Sequence, residues 1–329
     1  MNHASSPIVA AEPTGKYNAY LGAVQDALRG KPGRRERRRL EMEQRLLEPA
    51  QFMVLNGITH HYQDTGPRDG EPIVLVHGWD CSAFWWHHIV HPLAAQGYRV
   101  IIYDLKGHGF SDSDPEKQYT VESFSNDLLA LADALELGPH HIAAFSLGAF
   151  VALHYAATYP EQVASLAFFN FSLLRYNRVA SMILPRLLDA VFNGLLRPIA
   201  RLQLWVIPFL YTRMVMAQNT PPVSDIKLGI LSLICCDPEA VRISAKQLAR
   251  RDILESVPQH MAQITQPTLL VAGDKDPIMQ PKGAQELIAF ADNGVYFEMP
   301  KCGHLILFEL PRQVVQVLQI HLKTARQGI

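Results

Sequence analysis

The stretch that decides the fold is His141-Ile-Ala-Ala-Phe-Ser-Leu-Gly-Ala-Phe150, in which an apolar strand runs directly into a helix. So sharp a turn forces its central residue, Ser146, into a strained backbone conformation and holds the hydroxyl above the edge of the sheet. Ala144 and Gly148 are small, as the crowding of the strand and helix backbones requires. Ser146 is therefore a candidate nucleophile, although the motif by itself also fits a serine that caps a helix.

Strands and helices alternate on both sides of this turn. Continuous apolar runs typical of strands buried on both faces, and shorter strand patterns, predict strands at 52–55, 58–62, 73–76, 100–103, 141–145, 163–169, 268–271 and 294–298. Apolar residues at helical spacing predict helices at 121–135, 147–159, 283–290 and 312–325. Such alternation predicts the α/β class, with a mostly parallel central sheet flanked by helices.

The alternation is interrupted between residues 171 and 264, a segment too long for a connecting loop. It predicts a helical cap inserted into a core of residues 51–170 and 265–329. Its apolar side chains predict a cap packed on its own core, with some left to line a tunnel for an acyl chain or an aromatic group. They are Leu184, Leu187, Leu188, Val191, Phe192, Leu195, Leu196, Leu204, Trp205, Val206, Ile207, Phe209, Leu210, Met214 and Met216. Interspersed arginines leave contact with a lipid surface open as an alternative.

Residues 1–50 predict an N-terminal helical extension with helices at 17–28 and 34–47. The second helix carries Arg34, Arg35, Arg37, Arg38 and Arg39, with Glu36, Glu41 and Glu43 interleaved. This pattern favours a solvated helix with ion pairs four residues apart, and contact with an acidic or anionic lipid surface is the alternative.

The composition limits the classes of binding partner that are expected. Among 329 residues, Lys and Arg number 30 and Asp and Glu number 31, so nothing suggests nucleic acid binding. The N-terminus does not resemble a signal peptide, and the longest clean apolar piece, 202–212, is too short to cross a bilayer. A soluble, cytoplasmic protein is expected, of unknown oligomeric state.

No metal and no cofactor are expected. The four cysteines, at positions 81, 235, 236 and 302, have neither metal-type spacing nor that of a disulfide framework. Adjacent histidines such as His87-His88 are expected to diverge on a helix and so not to share a metal. His77 and His108 are expected to be structural.

Four other segments, together with the turn at Ser146, resemble the α/β-hydrolase family over about residues 52–325. They are Val74-Leu-Val-His-Gly-Trp79, Tyr103-Asp-Leu-Lys-Gly-His-Gly-Phe-Ser111, Gly273-Asp-Lys-Asp-Pro277 and Cys302-Gly-His304. The order Ser, Asp, His is the order that this fold requires. The one departure is Ala144, where the family usually has glycine.

The resemblance implies a catalytic triad of Ser146, Asp276 and His304, with Asp274 a less favoured acid. It also implies that the backbone N–H groups of Trp79 and Leu147 form the oxyanion hole.

Side chains near these groups have predicted roles as well. The side chains of Trp79 and Phe145 are expected to touch substrate. Trp85 and Trp86 are expected to begin a helix and pack in the core. Asp80 is expected either at the mouth of the site or as a helix cap.

The expected activity is hydrolysis of a carboxylic ester of a hydrophobic acyl or aryl substrate through an acyl-enzyme, as in carboxylesterases and lipases. A serine at the turn disfavours dehalogenases and epoxide hydrolases of this fold, which have aspartate there. A thioesterase, a lactonase, a C–C bond hydrolase and a non-catalytic ligand-binding protein on the same scaffold are the alternatives.

Overall fold

The central sheet has eight strands in the computed structural model, which describes residues 10–201, 215–217 and 223–327. The strands are β1 (Gln51–Leu55), β2 (Ile58–Thr65), β3 (Pro72–Val76), β4 (Arg99–Tyr103), β5 (His140–Phe145), β6 (Val163–Phe169), β7 (Thr268–Gly273) and β8 (Gly294–Met299). Their order across the sheet is β1-β2-β4-β3-β5-β6-β7-β8. β2 pairs antiparallel with β1 and β4, and all other neighbours are parallel. The predicted mostly parallel sheet is confirmed.

The helices cover both faces of this sheet. They are α1 (Gly15–Arg29), α2 (Arg34–Leu47), α3 (His87–Ala94), α4 (Val121–Ala134), α5 (Leu147–Thr158), α6 (Arg178–Asp189), α7 (Arg197–Arg201), α8 (Val223–Cys235), α9 (Pro238–Leu248), α10 (Arg251–Met261), α11 (Pro281–Ile288), α12 (Ile306–Glu309) and α13 (Pro311–Arg326). A 3-10 turn, Ala83–Trp86, leads into α3, and both of its tryptophans are buried as predicted. A π-helical stretch, Ala190–Leu196, joins α6 to α7.

The central strands are buried on both faces because successive side chains alternate between two cores. Val74 and Ile101 belong to the core that also contains residues of α4 and α5. Ile73 and Val100, their chain neighbours, belong to the core that contains residues of α3 and α13. Every residue of β4 is buried, as the continuous apolar run predicted.

The hairpin between β1 and β2 forms at the predicted dipeptide. Asn56 and Gly57 have φ angles of 49° and 83°. Two successive positive φ angles match the type I′ turn, which suits asparagine followed by glycine.

Between β6 and β7 lies the insertion, defined here as residues 171–264. Its described residues form α6 to α10 and contain no strand. Phe192, Leu196 and Ile230 are among the buried side chains of a small core within the insertion, as predicted. Seven of the predicted cap residues (Leu204, Trp205, Val206, Ile207, Phe209, Leu210 and Met214) lie outside the described residues. The domain boundaries remain a prediction.

The N-terminal helices are packed rather than detached. Tyr17 and Leu40 are buried with Phe52 and Phe110 of the core and Leu228 of α8. On α2, the expected i,i+4 ion pairs form between Arg37 and Glu41 and between Arg39 and Glu43. Contact of this helix with an acidic or anionic lipid surface remains a prediction.

One helix in the described part of the chain is long and apolar enough to cross a membrane, judged by length and composition. It runs continuously from Arg178 to Ala200, with a mean hydropathy of 1.4 and 17% of its apolar stretch buried. No such segment is expected from the sequence when a charge-free run is required, because Arg186 and Asp189 interrupt this helix.

Candidate active site

The turn between β5 and α5 holds Ser146 as the sequence predicts. Ser146 has φ 53° and ψ −115°, a strained conformation for a residue with a side chain. A Cβ atom added to Gly148 would lie 2.6 Å from the carbonyl oxygens of Val76 and His77. Only glycine fits at that position, because β3 passes directly beneath the start of α5.

His304 and Asp276 lie together at the carboxyl end of the sheet. The distance from His304 Nδ1 to Asp276 Oδ2 is 2.8 Å, and the Asp276 side chain is fully buried. Oδ1 of Asp276 accepts hydrogen bonds from the N–H groups of Ile278 and Met279, at 2.8 and 2.9 Å. Because a carboxylate only accepts, Nδ1 of His304 carries the proton, and the Nε2 lone pair is available to a donor.

Asp274, the rival acid, has a different role in the structure. Its Oδ1 accepts a hydrogen bond from the backbone N–H of Cys302 at 3.1 Å. Its Oδ2 lies 3.7 Å from Nζ of Lys275. These contacts tie the loop after β7 to the loop that carries His304. Of the two carboxylates, Asp276 is the one that contacts the histidine.

Two polar residues that the sequence analysis missed hold these loops in place. Asn170 donates from Nδ2 to the carbonyl oxygens of Gly303 and His304, at 2.9 and 2.6 Å, and accepts from the N–H of Gly273. The Glu309 carboxylate accepts from the N–H of Gly303 at 3.0 Å, and burial raises its pKa. Asn170 could have been identified from the sequence, since a polar residue directly after a buried parallel strand lies at the edge of the sheet where ligands bind. No sequence feature indicated a role for Glu309, because it lies inside an apolar helix.

The expected oxyanion-hole donors lie near the serine. Leu147 is the first residue of α5, so its N–H has no partner within the helix. Trp79 follows Gly78 in the loop after β3. In the described part of the chain, neither backbone N–H donates a hydrogen bond. His77 braces this loop, as its buried Nε2 accepts from the N–H of Leu105 at 3.0 Å.

A cavity of about 270 Å³ opens beside Ser146 and His304. Trp79 and Phe145, the expected substrate contacts, both line it. The core also contributes Asp80, Cys81, Trp85, Ile278, Met279, Leu305 and Phe308 to the lining. The insertion contributes Leu184, Leu188, Phe192, Leu196, Asp225, Ile226, Gly229, Ile230, Leu233 and Leu248. The cavity is therefore apolar almost throughout and walled jointly by the core and the insertion.

Asp80 is an ion-pair partner rather than a helix cap, so the capping interpretation is wrong. Its carboxylate lies 3.1 Å from Nη2 of Arg197, and both side chains are 2% exposed. Arg197 also donates to the carbonyl oxygens of Leu233 and Cys236. Burial raises the pKa of Asp80 to about 7, and the guanidinium opposes this shift. The pair ties the insertion to the residue that follows Trp79.

The expectation that His87 and His88 diverge is also wrong. Their ring centroids are 3.7 Å apart, because His87 Nδ1 bonds back to the carbonyl oxygen of Phe84. Both rings face Asp225 of α8, with His88 Nε2 at 2.8 Å and His87 Nε2 at 3.6 Å. The three residues offer ligand atoms within 4.8 Å of one another, which is the arrangement that could hold a metal ion. That the chain binds no metal remains a prediction.

Known proteins share this architecture. Residues 73–317 match the model of the family described as "Alpha/beta hydrolase family". A non-heme chloroperoxidase of Streptomyces lividans is 40% identical over 110 residues, which are 33% of this chain and 40% of that protein. The dihydrolipoyllysine-residue acetyltransferase component of an acetoin cleaving system of Pseudomonas putida is 29% identical over 79% of this chain and 65% of its own length. The chain therefore spans less than two thirds of either relative.

The solved structures agree on the scaffold. A protein from Acinetobacter baumannii assigned as a lipase superposes with a TM-score of 0.71 and 25% identity, covering 85% of this chain and 92% of its own. The family match spans most of the chain and includes the serine turn and both loops that meet at His304. The chain belongs to the α/β-hydrolase family.

Proposed function

We propose that this protein is a serine hydrolase that cleaves a carboxylic ester of a hydrophobic acyl or aryl substrate. The observation that carries the proposal is that Ser146 and His304 line one apolar cavity, while Nδ1 of His304 is hydrogen-bonded to Asp276. A serine hydroxyl is a poor nucleophile until a neighbouring base takes its proton. The tautomer set by Asp276 gives His304 the lone pair for that task.

The proposed reaction has two halves. His304 takes the Ser146 proton as the serine oxygen bonds to the ester carbonyl carbon, and the N–H groups of Leu147 and Trp79 stabilise the oxyanion. The alkoxide leaves with the proton from His304, which gives the acyl-enzyme and an alcohol. Water then attacks the acyl-enzyme with His304 again as base, releasing the acid and restoring Ser146. Asp276 stays ionised and stabilises the imidazolium.

The cavity supports a hydrophobic acyl or aryl group. Its lining is mainly leucine, isoleucine, phenylalanine and tryptophan, and hydrophobic side chains with few polar groups are typical of small-molecule sites. A volume of about 270 Å³ lies near the lower end of such sites. We therefore expect a short or medium acyl chain, or one aromatic ring, rather than two long chains.

The same triad would serve a thioesterase, a lactonase or a C–C bond hydrolase. The names of the relatives also refer to more than one kind of reaction, and a shared fold does not determine which reaction a protein catalyses. We prefer an ester because the lining, apart from Asp80, Cys81 and Asp225, is almost entirely apolar and suits an acyl or aryl group. A non-catalytic binding protein is disfavoured because all three triad residues are present.

The test is hydrolysis of p-nitrophenyl esters from acetate to dodecanoate by the purified protein. We expect a preference for medium chains and, with Ser146→Ala, a loss of at least about 10⁴-fold in kcat. Ser256→Ala on α10, remote from the cavity, is the matched control and retains full activity. A fluorophosphonate probe should label the wild type and the control but not Ser146→Ala. Equal, background-level rates for the wild type and Ser146→Ala across the series would refute the esterase proposal.

A further inference from the structure

Helix α6 presents an apolar face to solvent. Val179, Met182, Ile183 and Leu187 are 64%, 55%, 57% and 55% exposed. Their spacing of i, i+3, i+4 and i+8 places them on one side of the helix. Soluble proteins seldom leave a contiguous apolar patch in water, and such patches mark sites of interaction. We call this set of four residues the α6 face.

The second half of the same long helix is anchored in the protein. Phe192 and Leu196 are buried in the small core of the insertion, and Arg197 is paired with Asp80 beneath the cavity. A helix crossing a membrane would have to withdraw these side chains and leave Asp80 buried without its partner. The arrangement therefore suits a helix that lies on a surface, with its first half exposed and its second half held by the fold.

Two arginines accompany the α6 face. Arg178 precedes Val179, and Arg186, at i+7 from Val179, lies among the apolar side chains, where its long stem lets the guanidinium reach lipid phosphates. Arg178 and Arg186 are exposed, and within residues 10–201, 215–217 and 223–327 no carboxylate lies within ion-pair distance of either. The arginines of α2 differ, since Arg37 and Arg39 pair with glutamates of their own helix. Arg186 donates a hydrogen bond to the carbonyl oxygen of Met182 at 3.1 Å. Exposed apolar side chains accompanied by cations that have no carboxylate partner are typical of helices that bind anionic lipid.

The opening of the cavity lies on another side of α6 from the α6 face. Leu184 and Leu188 of the same helix line the cavity, and Leu184 is 50% exposed. Ile278, next to the Asp276 loop, also lines the cavity and is 43% exposed. These two half-exposed lining residues mark where the cavity meets solvent. Leu187 of the α6 face lies one turn from Leu184, so a surface that covers the face reaches the rim of this opening at that edge.

We infer that α6 docks the protein on an anionic lipid surface, with the α6 face inserted at the boundary between headgroups and acyl chains. Arg178 and Arg186 then contact the lipid phosphates, and the rim of the cavity at Leu184 adjoins the lipid. Docking itself does not depend on the proposed esterase activity. Only the further step, that the substrate reaches Ser146 from the lipid, rests on that function.

Binding is measured by cosedimentation of the purified full chain with extruded vesicles. The Ser146→Ala background removes any hydrolysis from the assay. Vesicles of phosphatidylcholine are compared with vesicles of phosphatidylcholine and phosphatidylglycerol at a 3:1 molar ratio. We expect strong partitioning onto the anionic vesicles and weak partitioning onto the neutral ones.

Two sets of substitutions separate the apolar and the charged contributions. Val179→Gln/Ile183→Gln should lower partitioning onto anionic vesicles at least tenfold. Arg178→Gln/Arg186→Gln should lower it by about fivefold for each arginine and leave binding to neutral vesicles unchanged. Ile320→Gln on α13 is the matched control, because Ile320 is 65% exposed but far along the chain from α6. It should bind like the parent.

The proposal is overturned if the parent chain does not sediment with anionic vesicles, or if the α6 and Ile320 variants bind equally well. Equal binding to neutral and anionic vesicles would overturn the assignment of an anionic surface. A parent chain that is dimeric by light scattering, and monomeric only as Val179→Gln/Ile183→Gln, would show that the α6 face binds a second copy instead.

A second readout separates docking from catalysis. For this readout Ser146 is kept. The Val179→Gln/Ile183→Gln variant should hydrolyse soluble p-nitrophenyl butyrate at the wild-type rate, since neither residue lines the cavity. It should lose activity only on ester presented in vesicles. Vesicle binding without any esterase activity would uphold docking and reject the proposed function.

Discussion

The two walls of the cavity are built in different ways. On the core side, backbone segments pass so closely that Gly148 and Gly273 each lie where a Cβ would come within 2.6 Å of carbonyl oxygens. On the insertion side, a Cβ at Gly194 would meet nothing within 4 Å, and one at Gly229 would make only an ordinary contact with Trp85. The core wall is interlocked through its backbone. The lining helices of the insertion are held mainly by side chains, although the N–H of His304 donates to the carbonyl oxygen of Val215 at 2.7 Å.

This difference separates two tasks. The groups that would act on the ester lie on the core wall, where donors and the acid are fixed before substrate arrives, as electrostatic stabilisation requires. The insertion supplies apolar lining and the α6 face, which can vary without disturbing the triad. Arg197 joins the two walls through Asp80, directly beside Trp79. Substitutions on the core wall should therefore be severe and those on the insertion mild, except where the insertion is bonded to the core, as at Arg197.

The largest expected effect compares two aspartates of the same loop. Asp276→Asn should lower kcat on p-nitrophenyl butyrate by about 10³–10⁴-fold, because the amide no longer fixes the His304 tautomer. Asp274→Asn should keep kcat within about threefold. An amide oxygen can still accept from the N–H of Cys302, and the pair with Lys275 that is lost is solvent-exposed. Steady-state kinetics checks both. A greater loss for Asp274→Asn than for Asp276→Asn would reverse the assignment of the acid.

The next effect compares two arginines of one continuous helix. Arg197→Met should lower the free energy of unfolding by about 3–5 kcal/mol, because it leaves a buried carboxylate at Asp80 without its partner. Arg186→Met, an exposed position, should change it by less than about 0.5 kcal/mol. Urea unfolding measures both.

A double variant tests whether the buried charge is the cause. Asp80→Asn/Arg197→Met should be more stable than Arg197→Met, since asparagine tolerates the φ of 52° at position 80 and carries no charge. Equal losses for the single and the double variant would show that Arg197 stabilises the protein only by packing.

The parts of the site that the sequence predicted are those in which one residue's conformation depends on its immediate neighbours. Ser146 between Ala144 and Gly148 encodes the turn locally, and the strand patterns encode the sheet. The segments that resembled a family then placed Asp276 and His304, which the structure brings to 2.8 Å.

Contacts between distant segments could not be predicted in this way. No residue near Asp80 in the sequence predicts its contact with Arg197, which lies 117 residues away. The His87-His88 pair was predicted to diverge because helical geometry alone was considered, whereas a 3-10 turn precedes the pair and Asp225 attracts both rings. Asn170 and Glu309 bind backbone groups. Because these groups are common to nearly all residue types, the sequence does not indicate which residues are the partners.

A smaller effect compares two glycines. Gly148→Ala should destabilise the fold by about 3 kcal/mol, because a Cβ 2.6 Å from two carbonyl oxygens forces the start of α5 away from β3. It should also lower kcat, as the same shift moves Ser146. Gly194→Ala should stabilise the fold by up to about 1 kcal/mol, because alanine is the better helix former and the space is open. Thermal unfolding of the two variants gives the comparison directly, and a stabilised Gly148→Ala would contradict the rigid core wall.

The smallest effect is a loss of stability at acidic pH, and it depends on histidines that are buried in the core. Burial lowers the pKa of His140 to about 4, and likewise lowers those of His108 and His321, to about 3 and about 4. Since an unfolded histidine has a pKa of about 6.5, the unfolded chain binds protons that the folded chain refuses as the pH falls below that value. The stabilisation is therefore complete above pH 6.5 and is lost progressively toward pH 4.

For His140 alone, the loss in the free energy of unfolding between pH 7 and pH 5 should be about 2 kcal/mol. His140→Asn removes the ionisable group while its amide N–H can still donate to the carbonyl oxygen of Gly138, as Nδ1 of His140 does at 2.8 Å. The variant should therefore lose less stability than the wild type over this pH range, as measured by urea unfolding at pH 7, 6 and 5. An unchanged pH dependence would mean that the native state admits the proton at His140, and the core around β5 would then be less rigid than its packing indicates.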